Sequence, residues 1–282
     1  MTRRTVLLTG ASGLLGTWLR ATAPSAVDVV PLVHRTPLPG GVAADLSDGP
    51  STLDAVGRAA PDLVVHAAYA LDEASIVDAT ANLVVASGEV GAPVVLVSTD
   101  AVFAGDGRAR AEDDEPDPVA DYGRWKTTAE HAVLGGVTGS AVVRLPLIVS
   151  LDPLDHVATR IRDGAAAGEP SPWFTDELRQ PARADELARA IWRIVALDGS
   201  GRAGTWHLPG PERLSRFEIA ERYVRALGLS PDAIAGAPTP DGLARPRDLH
   251  LTAPRARAAI AWHPGRVLAH WRRARSGECA DG

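Results

Sequence analysis

Tyr122 and Lys126 stand four residues apart in the stretch YGRWK, a spacing that puts both side chains on one face of a helix. A free phenol titrates near roughly 10. A neighbouring ammonium favours the phenolate and lowers that value. A phenol so placed can hand its proton to a carbonyl oxygen. Thr99, at the end of the apolar run APVVLVSTD, offers a hydroxyl that can hold the same oxygen. In isolation the pair fits an exposed helix face equally well, so the elements upstream must decide.

The first of these is TGASGLLG, which spaces Gly10, Gly13 and Gly16 between the apolar run TVLLTG and the helical stretch GLLGTWLRATA. Glycine lets the chain turn tightly and lets a phosphate approach the backbone, and a helix start offers unpaired N–H groups. Ser12, Leu14 and Leu15 fill the loop between the glycines. The next apolar run ends in His34 and Arg35, with no carboxylate where one usually meets a ribose 2′-hydroxyl. Arg35 suits a 2′-phosphate, which favours NADPH, with NADH as the alternative. Asp45 and Leu46 of ADLSD are placed to touch an adenine ring. HAAYA, with Ala67, Ala68 and Tyr69, is expected to form the floor under the cofactor.

These loops need a sheet to hold them. Short continuous apolar runs at 5–10, 27–35, 62–68, 92–100 and 140–149 alternate with helical segments, as in a parallel sheet covered on both faces. The fold class is therefore α/β, a Rossmann-like doubly wound parallel sheet with a smaller C-terminal substrate-binding lobe. Residues 1–150 are read as the NAD(P)-binding domain and 151–282 mainly as the lobe, where Pro and Gly become frequent. The amphipathic helix 183–197 is expected to return to the first domain. Ser215 followed by Glu218 predicts a capping box opening a helix over 215–227.

Bulk properties exclude other classes. A net charge of −6 argues against a nucleic-acid or anionic-membrane surface. No apolar run reaches the roughly 18 residues of a spanning helix. Gly10, Gly13 and Gly16 interrupt what would otherwise resemble a signal-peptide core. The single cysteine, Cys279, allows no disulfide framework and fits a cytoplasmic protein. No His/Asp/Glu cluster has metal-ligand spacing, so no metal is expected. His156 and His207 read as structural.

Taken together, TGASGLLG, VSTDAVFAG and YGRWK resemble the extended branch of the short-chain dehydrogenase/reductase superfamily. STDAVFAGDG, EDDEPDPVADYGRWK, RQPARADELARAI and ARPRDLHLT are more closely similar to the dTDP-4-dehydrorhamnose reductase family. The resemblance implies a catalytic set of Thr99, Tyr122 and Lys126, with Ser98, Lys126 and Leu145 also touching the cofactor. It implies reduction of a 4-keto group on a nucleotide-linked deoxysugar, Tyr122 donating the proton. Substrate contacts would come from Tyr69, Asp100, Ala101, Trp173, Arg245 and Arg247, the arginines suiting a diphosphate. A homodimer is common in the superfamily. Two alternatives stay open: an epimerase or dehydratase retaining NAD+, and a non-catalytic NAD(P)-binding regulatory subunit. Departures from the family pattern are Ala101 in place of an aromatic residue, a short segment after HAAYA, Ile76 in place of an asparagine, and the bulky Trp125. The Ile76 change is expected to alter one wall of the site.

Overall fold

The computed structural model describes residues 3–268; Cys279 lies outside them. Seven strands form the main sheet: β1 (Arg4–Thr9), β2 (Val27–Val33), β3 (Val42–Ala43), β4 (Leu63–His66), β5 (Val94–Thr99), β6 (Ala141–Leu145) and β7 (Gly204–His207). Their spatial order is β7-β6-β5-β4-β1-β2-β3, and every neighbouring pair is parallel. The helices that cover it are α1 (Leu14–Ala21), α2 (Gly49–Ala59), α3 (Ala79–Glu89), α4 (Asp121–Leu134) and, later, α6 (Ala184–Ala196). Strand order reverses between β1 and β4, which opens a crevice at their carboxyl ends.

Alternation along β1 shows why the runs are continuously apolar. Val6 and Leu8 point into a core shared with Leu15 and Leu19 of α1 and Leu187, Ile191 and Ile194 of α6. Leu7 points the other way, into a core with Ala55 of α2, Leu83 of α3 and Val133 of α4. A strand buried on both faces has no polar side to show. α6 packs into the core beside α1, and its Trp192 indole donates to the Leu19 carbonyl at 2.9 Å.

The chain beyond residue 150 serves two bodies. Ala182, Trp206, Leu208, Ala253, Ile260 and Trp262 belong to the core beside α1 and α6. Between them lies a separate core built from α5 (His156–Ala167) and α7 (Arg216–Leu227), including Val157, Ile161, Trp173, Ile219 and Tyr223. The capping box is present at Ser215 and Glu218. Sequence reasoning missed β7: four residues, GTWH, sit between glycine- and proline-rich turns and extend the main sheet beside β6. Among the described residues no helix is long and apolar enough to cross a membrane, and no group of His, Cys, Asp and Glu could hold a metal ion.

Candidate active site

The chain leaves β1 in a turn that only glycine accommodates. Gly10 has φ +67°, and a Cβ there would stand 2.6 Å from the Ala67 carbonyl. At Gly16 a Cβ would stand 2.1 Å from the Gly10 carbonyl oxygen, so α1 can begin only by pressing against the loop. Gly13 caps α1 without any side-chain oxygen, leaving the first-turn N–H groups for an anion.

Beneath the loop runs a hydrogen-bonded chain that fixes its own proton order. Thr9 Oγ1 accepts from the Ala67 and Ala68 N–H groups at 3.1 Å each. Its proton therefore goes to His66 Nδ1 at 2.7 Å. His66 then donates from Nε2 to Thr80 Oγ1 at 3.1 Å, and Thr80 donates to the Ile76 carbonyl. Burial, with the Lys126 charge second, pulls His66 down to about 3 and keeps it neutral. The Ile76 carbonyl belongs to a π-helical turn, Ala74–Asp78, a form frequent at functional sites.

Two cavities meet at Tyr69. The first, about 570 Å³, is lined by Gly10, Ser12, Gly13, His34, Arg35, Asp45, Leu46, Ala67, Ala68 and Tyr69, together with Ser75 and Ala79. Ser75 and Ala79 were not anticipated. They form the wall that Ile76 was expected to form, because the Ile76 side chain turns into the core beneath the sheet. His34 and Asp45 approach to 3.8 Å. Hydrogen bonds from the Ser47 hydroxyl and N–H hold Asp45 below its ordinary range.

The second cavity, about 560 Å³, brings together Gly13, Leu14, Leu15, Gly16, Tyr69, Ser98, Thr99, Asp100, Tyr122, Lys126 and Leu145. Tyr122 and Lys126 lie in the first turns of α4, and Thr99 ends β5. The Lys126 ammonium donates to the Val97 carbonyl at 3.1 Å and lies 5.3 Å from the Tyr69 ring centre. The Tyr69 and Tyr122 rings are 6.3 Å apart. Burial pulls Lys126 down to about 8, against the pull of the Glu130 carboxylate. Burial pushes Tyr122 above the ordinary phenol range, the Thr99 hydroxyl offsetting this in part. The expected depression of the phenol by Lys126 is thus overturned: the ammonium is spent on Val97, and desolvation dominates. Burial also raises Asp100 to about 6, against the charge of Arg179.

Four candidates are not brought to either cavity. Ala101 packs against Val102 and Phe103. Trp173 is 4% exposed and sits in the core of the smaller lobe, with the Arg160 and Arg216 guanidiniums over its ring. Arg245 is held by Glu177 at 2.6 Å, and Arg247 by Asp176 at 2.8 Å. Trp125 packs on the core under α4 rather than facing the cavity. His156, read as structural, lines the second cavity, as do Leu154, Asp155 and Arg179. Asp155 caps α5 through the Val157 and Ala158 N–H groups and accepts from Ser150 N and the Tyr223 hydroxyl, fixing that wall.

One signal in the sequence was overlooked. Of the chain's 29 lysines and arginines, Lys126 alone is a lysine. Every other cation is a guanidinium, which does not deprotonate in proteins.

The RmlD substrate binding domain model matches residues 4–276. The dTDP-4-dehydrorhamnose reductase of Mycolicibacterium smegmatis is 32% identical over 245 residues, covering 81% of this chain and 71% of that one. The methionine adenosyltransferase 2 subunit beta of Bos taurus is 28% identical over 269 residues, covering 88% and 80%. A solved dTDP-4-dehydrorhamnose reductase from Bacillus anthracis, in complex with NADP, superposes with a TM-score of 0.78 at 22% identity, covering 91% and 92%. With fold, glycine loop and matched length in agreement, the chain belongs to the RmlD substrate binding domain family, within the extended short-chain dehydrogenases/reductases.

Proposed function

We propose that the protein is an NADPH-dependent ketoreductase acting on the 4-keto group of a nucleotide-linked deoxysugar. The observation that carries this is the convergence of Thr99, Tyr122 and Lys126 on one cavity that opens at Tyr69 into the glycine-loop cavity. The open helix start at Gly13 suits a pyrophosphate, and the neighbouring walls suit an adenosine. A reduced nicotinamide, when bound, supplies the hydride.

The rest of the chemistry belongs to this chain. Tyr122 is kept protonated by burial, which suits an acid waiting for a developing alkoxide. Its phenol and the Thr99 hydroxyl address one oxygen and orient the carbonyl. Lys126, drawn down to about 8 and charged at neutral pH, holds the cofactor's ribose hydroxyls with the donors that Val97 does not take. Arg179 on the far wall is the guanidinium lining this cavity, in place of Arg245 and Arg247, and His156 beside it is kept neutral by burial. The smaller lobe around α5 and α7 is the substrate side.

A second reading is a cofactor-binding regulatory subunit, favoured by the likeness to methionine adenosyltransferase 2 subunit beta. Retention of the full Thr99, Tyr122 and Lys126 set supports the enzyme. Fluorescence titration with NADPH and NADH tests the cofactor. Arg35→Ala is expected to weaken NADPH roughly tenfold and leave NADH unchanged, since one guanidinium–phosphate contact is lost. Equal weakening of both, or of neither, removes Arg35 from the 2′-phosphate site.

A further inference from the structure

Glu130 plays no part in the chemistry above, yet it is 1% exposed and falls two turns after Tyr122 on α4. Tyr122, Lys126 and Glu130 follow at four-residue steps along one helix face. That face meets the last three residues of β5. Thr99 sits beside the Tyr122 phenol, the Val97 carbonyl accepts from Lys126, and the Ser98 hydroxyl donates to Glu130.

Glu130 is in turn tied to the sheet. Arg144 donates to it from Nε at 3.1 and 3.2 Å and from Nη2 at 2.8 Å. Ser98, Arg144 and His207 are register partners across β5, β6 and β7. His207 donates from Nδ1 to the Thr252 carbonyl at 3.0 Å, so its Nε2 accepts from Arg144 at 3.3 Å. The Phe103 ring closes the row, edge-on to His207 at 5.8 Å and under Arg144 at 5.0 Å. A buried carboxylate with this many donors is held in one position.

We infer that Glu130 is a positioning residue for Lys126: gripped by Ser98 and Arg144, it fixes the working face of α4 against the end of β5. The inference deepens the ketoreductase reading and takes Lys126 as its point of action. The titratable and charged groups facing Lys126 are Tyr122 and Glu130 on α4, Tyr69 after β4, and His66 on β4. Arg144 of β6 stands behind Glu130, and Asp100 lies on the far side of Tyr122. Of these, Glu130 is the one carboxylate in contact with the ammonium's own helix face.

Because Lys126 is the single lysine, protein carrying isotopically labelled lysine gives one side-chain ammonium signal by NMR, with or without turnover. In Glu130→Gln the midpoint of that signal is expected to fall by about one unit, since a nearby negative charge is gone. The alkaline limb of the pH–rate profile should fall with it. Ser98→Ala leaves both charges and removes one rung. It is expected to cut kcat roughly tenfold, and Ser98→Thr should restore the rate. Should Glu130→Gln fail to fold with Arg144 unpaired, the double variant Glu130→Gln/Arg144→Gln leaves no orphan charge and is read by the same midpoint. An unmoved midpoint in the folded variant overturns the proposal, as does a Ser98→Ala rate equal to wild type. If the wild type reduces nothing, the NMR midpoint alone decides, so loss of the ketoreductase reading and loss of this one are distinguishable.

Discussion

Tyr122→Phe is expected to lower kcat for carbonyl reduction roughly a thousandfold, the scale of a lost general acid, with NADPH affinity unchanged. Tyr122 is half-buried and its ring packs on the core under α4, so removing one hydroxyl deletes the proton and leaves the packing. The Thr99 hydroxyl remains to hold the carbonyl oxygen, which is why residual activity is expected rather than none. A KM shift with kcat intact would mean that the phenol binds substrate and the proton comes from elsewhere. Steady-state rates at saturating NADPH, alongside the fluorescence titration, check this.

Lys126→Met is expected to move activity and stability in opposite directions. The ammonium is 4% exposed, and burial pulls it from 10.5 down to about 8. Its folded value lies below its unfolded value, so below pH 8 the charge opposes folding. Stability then rises as pH climbs from about 8 towards 10, by up to about 3 kcal/mol for a shift of this size. With no other lysine in the chain, that rise has one ammonium as its source. Above pH 10 the raised phenol of Tyr122 acts in the opposite sense. Methionine fills the same space without a charge. Denaturation of the cofactor-free protein at pH 7 and pH 9.5 should show the variant more stable at neutral pH and lacking the rise. Reduction should fall at least a hundredfold, the lower end for loss of a positioned catalytic group. Equal pH dependence in variant and wild type would place the charge in water rather than in the cleft.

The parts legible in the sequence are those dictated by local rules. Apolar runs buried on both faces announced β1, β4, β5 and β6, and TGASGLLG announced the loop because its glycines answer to backbone geometry. Ser215 and Glu218 announced their helix because a capping box is local. What stayed hidden depends on partners distant in the chain. Arg245 looks free until Glu177, 68 residues away, is found holding it. Glu130 looks like a surface residue until Ser98 and Arg144 are brought over it by strand register. Trp173 reads equally as a stacking platform or as core, and only the packing of α5 and α7 settles it. His156 was passed over because a lone histidine carries no pattern; its place follows from the turn fixed by Asp155. The four residues of β7 are too few to show periodicity.

The proposed reduction requires this cavity to deliver a hydride and a proton across one carbonyl. Incubating the protein with NADPH deuterated at the transferable position and a dTDP-4-keto-6-deoxysugar tests it most directly. The expected product is an alcohol carrying one deuterium at C4, formed in step with NADP+ and about a thousandfold more slowly in Tyr122→Phe. NADPH that binds tightly but is never oxidised, across a panel of such ketosugars, contradicts it and leaves the cofactor-binding regulatory subunit as the reading.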